Sequence, residues 1–229
     1  MRKTLGFQPY FCFMDQIIAL IKKDLLVDFR QKYVVAGIAL YVFATIYIAY
    51  LAFNNVITPA IWNALFWLIL LFSSITGLGK SFGQEAHRSH YYYYLAKPVH
   101  ILTAKLIYYG FYEILLVVLL TGIFNLFLGF PVENPSLFLV NLLAGASGLS
   151  VCFTLIASIA AKSDNGSHLM PILAFPVIIP VLLLAVTNSR KIVFGASLAD
   201  ISGNLLVLVC FNVIIIALSF ILFPYSWKN

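Results

Sequence analysis

The sequence predicts an all-α, polytopic membrane protein with six transmembrane helices and an amphipathic helix leading into the first. Three observations predict it. Hydrophobic residues make up 62% of the 229-residue chain and charged residues only 10%, far below the roughly 25% charged residues of a soluble domain. The stretch from Tyr33 to Gly79 contains no Asp, Glu, Lys or Arg and is interrupted only by the polar patch Asn54-Asn55 … Thr58-Pro59. One helix crosses a bilayer with about 20 apolar residues, so this stretch supplies two crossings and a turn. The basic residues, finally, gather at the ends of the apolar segments, where headgroups and topology account for them.

The crossings are expected at Val34–Phe53, Ile61–Leu78, Leu106–Phe130, Leu137–Ala161, Leu169–Val186 and Ile201–Phe223. Each is long enough to span, the longest with some tilt. With this assignment, 12 of the 14 basic residues fall on one side, and Arg190 and Lys191 alone fall on the other. The positive-inside rule then puts both termini in the cytoplasm. A chain of this length has room for one membrane domain, residues 1–229, and little else.

Residues 14–32 differ in kind. Met14, Ile18, Ile21, Leu25 and Phe29 share one helical face, with Gln16, Lys23, Asp24 and Arg30 on the opposite side. That pattern predicts an amphipathic elbow helix in the cytoplasmic interface, either a headgroup anchor or also a contact for a cytoplasmic partner.

Residues 79–105 form the longest hydrophilic connection, cytoplasmic by the charge count. Pro98 cannot sit inside a helix and pushes Lys97 out of the α region, so a short helix followed by re-entry into the third span is expected. Phe82, Glu85, Tyr93, Tyr94, Leu95 and Pro98 make an aromatic, compact knob suited to a groove on another protein. The alternative is an interfacial loop with its tyrosines at headgroup level.

Within the spans, Glu113 is the sole acidic residue, and ionisable groups at that depth face a bundle interior or a cavity. It is a gating, substrate-path or subunit-interface candidate; the plainer reading is a protonated carboxyl bonded to Tyr109 or Tyr112. Pro171, Pro176 and Pro180 remove three backbone donors from the fifth span and predict a bent helix, as a gate or as a simple curve. Ala144 and Gly148 form a small-xxx-small pair for close helix approach, and Asn63, Asn141 and Asn204 are expected to bond between helices.

Several classes are excluded. Cys12, Cys152 and Cys210 show no metal, haem-attachment or disulfide spacing. Gly79-Lys80-Ser81 resembles the end of a phosphate-binding loop, but Ser74 stands where its first glycine belongs and a membrane helix precedes it. His87 and His90 lack carboxylate or thiol companions, so no metal site is expected. No catalytic residues are expected either, since the spans cluster no polar groups at one depth. The basic balance does not signal nucleic acid. No small-residue cleavage site follows Arg2 and Lys3, so no signal peptide is expected.

The order of elements, with Phe82-x-x-Glu85 … Leu95-x-x-Pro98-Val99 … Lys105 between the second and third spans, resembles the membrane subunit of an ABC-2 type ABC exporter. More narrowly, the chain resembles the CcmB family, the haem-exporter permease of cytochrome c maturation. The narrower likeness rests on Lys22–Arg30 in the elbow, Met170–Pro180 in span five and the ending Leu222-Phe223-Pro224-Tyr225-Ser226-Trp227. The coupling loop departs from it, reading His87-Arg88-Ser89-His90 and four tyrosines where many members are more acidic.

The resemblance implies a non-enzymatic permease in a bacterial inner membrane. ATP would be hydrolysed on a separate CcmA-type subunit, with a second copy of this chain, CcmC- and CcmD-type membrane partners, surrounding lipids and the haem chaperone CcmE as associates. Haem is the implied substrate, with no cofactor bound directly. The alternatives are an ABC-2 permease exporting a lipid, polysaccharide or drug, and a membrane enzyme or assembly scaffold.

Overall fold

The computed structural model describes residues 13–30, 32–53, 57–78, 98–160 and 166–228. These form seven helices: α1 Phe13–Arg30, α2 Lys32–Phe53, α3 Pro59–Leu78, α4 Pro98–Leu128, α5 Pro135–Ala160, α6 Gly166–Val193 and α7 Leu198–Lys228. Helices α2 to α7 are each long and apolar enough to cross a membrane, and no strand occurs among the described residues.

Local chemistry fixes the helix ends. Pro59, Pro98 and Pro135 each open a helix, at the position where a missing N–H costs nothing. Ahead of Pro59, Thr58 Oγ1 accepts from the Ile61 amide at 3.4 Å as an N-cap. Ser197 and Asp200 form a capping box: Asp200 Oδ2 accepts from the Ser197 amide at 2.9 Å and from its hydroxyl at 2.7 Å. Helix α6 closes in a Schellman motif, with Ala196 N donating to Lys191 O and Gly195 N to Ile192 O, each at 3.0 Å. Gly195 adopts φ +82° there, which a side chain would oppose.

Two helices extend beyond the spans expected for them. Helix α4 begins at Pro98, eight residues before the expected start of the third span, because Val99, Ile101, Leu102 and Ala104 carry the helix through His100, Thr103 and Lys105. Helix α6 runs unbroken through Pro171, Pro176 and Pro180. Each proline removes a donor without ending the helix, as membrane bundles tolerate when neighbours supply packing.

The core is built around α5, which packs against α3, α4, α6 and α7. In its span 72% of residues are buried, against 22% in α2 and in α7. The small residues of α5 make this central position accessible. A side chain at Gly145 would meet the Trp67 ring at 2.5 Å, and one at Gly148 would meet Asn212 Oδ1 at 2.5 Å and Val181 at 2.8 Å. The small-residue stripe containing Ala144 and Gly148 is therefore an intramolecular seam, shared with α3, α6 and α7.

One end of the bundle is aromatic. Trp62 stacks on Phe66 at 5.4 Å between centroids and meets Phe124, Phe130 and Phe138 at 5.5 to 5.8 Å. Its indole N–H donates to Gly129 O at 3.1 Å, which satisfies the one polar atom of a fully buried side chain.

Candidate functional site

Beside the aromatic end, amide side chains tie the helices together. Asn63 Nδ2 donates to Val186 O at 3.2 Å while its Oδ1 accepts from Ser189 Oγ at 2.5 Å, joining α3 to α6. Asn141 Nδ2 donates to Ala185 O at 2.9 Å, joining α5 to α6. Both are interhelical, as expected. Asn204 makes no side-chain hydrogen bond among the described residues; Asn212, two turns on, takes that role by donating to Ala144 O at 2.9 Å. Asparagine position alone does not reveal which side of α7 faces the bundle.

Glu113 lies midway along α4 and is fully enclosed. Its partner is neither Tyr109 nor Tyr112 but Ser74 on α3: Oε1 lies 2.6 Å from Ser74 Oγ. Ser74 Oγ also sits 2.8 Å from Leu70 O, within its own helix. One hydroxyl proton serves one acceptor at a time, so Glu113 Oε1 and the carbonyl of Leu70 compete for the Ser74 proton. The neighbouring turn is tight, because a Cβ at Gly77 would run into the Tyr112 ring. Glu113 thus welds α3 to α4 through a short polar contact inside the lipid-spanning part of the bundle.

The most developed polar site lies where α1 meets the start of α4. Three pairs join them. His100 Nδ1 and Gln16 Oε1 are 2.6 Å apart, which places the imidazole proton on Nδ1. Lys105 Nζ forms an ion pair with Asp24 Oδ2 at 3.1 Å, and Tyr108 donates to Asp28 Oδ2 at 2.5 Å. Asp24 also takes Lys23 at 2.9 Å on its other oxygen. The Lys105 ammonium lies 3.4 Å from Tyr109 Oη and 5.5 Å from the centre of that ring. The side chains of Lys105 and Asp24 are only 4% and 9% exposed, so this is a buried pair, not a surface one.

This seam fixes a flank that the elbow sequence left open. Asp24, read on the polar side, faces the bundle, and Ile17 is buried with it. Met14, Ile18 and Leu25, on the apolar face, are exposed, as a helix lying in the membrane interface requires. A helix in a membrane interface turns its apolar face to lipid and offers its protein neighbour a flank. Amphipathicity alone does not say which flank that is. The signal in the sequence is the pair Asp24 and Asp28, one turn apart, matched by Lys105 and Tyr108, one turn apart on another helix.

The pairs advance in the same direction along both helices. They extend over 12 residue steps of α1 and 8 of α4, about 18 and 12 Å. The coupling-loop residues Phe82, Glu85, Tyr93, Tyr94 and Leu95 lie outside the described residues. Pro98 is described: it opens α4, two residues before His100. The 79–97 segment therefore delivers its chain directly into the helix that the elbow grips.

A model of the CcmB protein family matches residues 15–228, nearly the whole chain. The chain belongs to the CcmB family. Membership supports a role as an ABC permease subunit of the haem-exporter class, serving cytochrome c maturation. It is a multi-pass membrane protein, as the six long apolar helices require. No curated protein and no solved structure matches the chain. The match takes in nearly all of α1 and runs through α7, so the elbow and its seam with α4 fall within the residues that the family model matches.

Proposed function

We propose that this CcmB-family chain is the membrane half of a transporter powered by a separate CcmA-type ATPase, which docks on the 79–97 segment. Two copies of the chain pair with two ATPase subunits in a bacterial inner membrane, with both termini cytoplasmic, alongside CcmC- and CcmD-type partners. ATP hydrolysis drives release of the haem-loaded chaperone CcmE. Haem passage through this chain is the weaker reading, since His87, His90, His100 and His168 all lie outside the expected spans, and His100 is engaged by Gln16.

The observation that carries the coupling role is the buried Asp24–Lys105 pair at the root of α4. A push on the 79–97 segment arrives at Pro98, and the seam passes it to the elbow, which leads straight into α2. Glu113 and the three prolines of α6 are the candidates for the part of the bundle that yields, Glu113 because it bridges α3 and α4 through a single hydroxyl.

Affinity purification of the tagged chain tests the partnership: an ATPase subunit and cytochrome c maturation proteins should co-purify. Replacing Glu85 with Lys should lower ATPase recovery and c-type cytochrome yield together at unchanged membrane abundance, because a like charge across an interface costs several kcal/mol, tenfold in affinity per ~1.4 kcal/mol. Recovery of the chain without any ATPase, or normal cytochromes in that variant, would refute the docking assignment.

A further inference from the structure

The elbow has a third flank, turned away from α4 and bordering its own exposed apolar stripe. It holds a groove of about 480 Å3 lined by Ala19, Lys22, Lys23, Leu26, Val27 and Arg30. Three cations border an apolar floor. Lys22 and Arg30 are exposed, and Leu26 is 55% exposed. Of the acidic residues of α1, Asp24 and Asp28 are turned into the seam, where Lys105 and Tyr108 hold them; Asp15 lies on the outer side, about two turns before Lys22. The seam therefore does more than fix the helix. It draws carboxylates to the bundle side and leaves the groove flank cationic.

We propose that this groove seats the phosphate of an anionic phospholipid of the cytoplasmic leaflet, held by Lys22 and Arg30, Lys23 being held by Asp24 at 2.9 Å, with an acyl chain along Leu26 and the neighbouring exposed stripe. Charge complementarity selects a phosphate. The position selects a lipid: Arg30 stands five residues before the apolar span that starts at Val35, at headgroup depth, and Met14, Ile18 and Leu25 expose hydrocarbon beside the cations. An acidic protein surface satisfies the cations but not that stripe. The interfacial potential of anionic lipids favours each such cation by about fivefold in affinity, so Lys22 and Arg30 together are worth roughly 25-fold.

The test uses the full chain in nanodiscs and in detergent. Native mass spectrometry should show phosphatidylglycerol retained over phosphatidylcholine, and titration should show saturable binding that raised salt weakens. The double variant Lys22→Gln, Arg30→Gln should lose roughly 25-fold in phosphatidylglycerol affinity, and Lys191→Gln, in the last turn of α6, should lose none. Inorganic phosphate separates the two sources of the anion: it should fail to displace the lipid at millimolar concentration, and displacement would show a free-anion site instead. If the double variant does not fold, the single Lys22→Gln and Arg30→Gln variants, each with an unchanged melting temperature, carry the comparison. Equal affinity for both lipids, or unchanged phosphatidylglycerol binding in the variants while ATPase recovery falls, would overturn the lipid assignment, the latter in favour of a protein contact.

Discussion

Removing one partner of the Asp24–Lys105 pair should destabilise the protein far more than removing both. At 3.1 Å, two unit charges in an effective dielectric of about 20 attract by about 5 kcal/mol, offset in the intact protein by the cost of desolvating both. Replacing Asp24 with Leu keeps the desolvation of Lys105 and abolishes the attraction. The expected loss is about 3–5 kcal/mol. In a chain of this size that corresponds to a fall in melting temperature on the order of 10 °C. Replacing Lys105 with Met should cost less, because Asp24 keeps Lys23 at 2.9 Å. The double variant Asp24→Leu, Lys105→Met buries two apolar side chains in the same seam and should recover most of the loss, giving a coupling of at least about 2 kcal/mol in the cycle. The assay is thermal unfolding of the purified chain followed by tryptophan fluorescence. Trp62 and Trp67 are buried in the bundle and report on its integrity. A double variant whose loss equals the sum of the singles would refute the reasoning, and so would single variants that melt with the parent. Either result would mean that water screens the pair.

Three further outcomes are expected. Gly148→Val should cost about 1–3 kcal/mol, because its Cβ alone falls 2.5 Å from Asn212 Oδ1, whereas Gly122→Ala, with open space around it, should be neutral or gain up to about 1 kcal/mol of helix propensity; paired melting curves check both. Glu113→Gln should preserve abundance and melting temperature, since an amide oxygen can still accept from Ser74, while Glu113→Lys should fail to accumulate in the membrane, a buried cation costing about 2.5–3.5 kcal/mol at a helix centre; loss of the Gln variant would show that the carboxyl group itself is required. Finally, in a cysteine-free background, an impermeant thiol reagent added to intact cells should label Glu133→Cys and spare Arg88→Cys, and the reverse pattern would invert the topology.

The number of membrane helices was legible because it depends on composition over windows of about 20 residues, and lipid forces every such window into a helix. The turn at Thr58-Pro59 and the small-residue stripe around Gly148 were legible for a similar reason: each acts on the backbone within a few residues of itself. The elbow was legible as an amphipathic helix by its periodicity. Its orientation was not. Lys105 and Asp24 are 81 positions apart, and nothing local to either says that they meet. Glu113 shows the same limit. Its depth marked it as consequential, but its partner is Ser74 on another helix, not the tyrosines beside it in sequence.

The sequence by itself determined that this chain enters a bilayer six times behind an amphipathic elbow, and its near-complete match to one family follows from the same residues. The tertiary structure alone decided which faces meet: α5 at the centre, Glu113 against Ser74, and the elbow's carboxylates turned inward to Lys105 and Tyr108 with its cations left outside. The physical reason is that hydropathy is summed along the chain, whereas pairing depends on how helices rotate and pack about their axes. In lipid, every outward side of a helix is equally apolar, so packing of small residues and a few polar contacts sets that rotation.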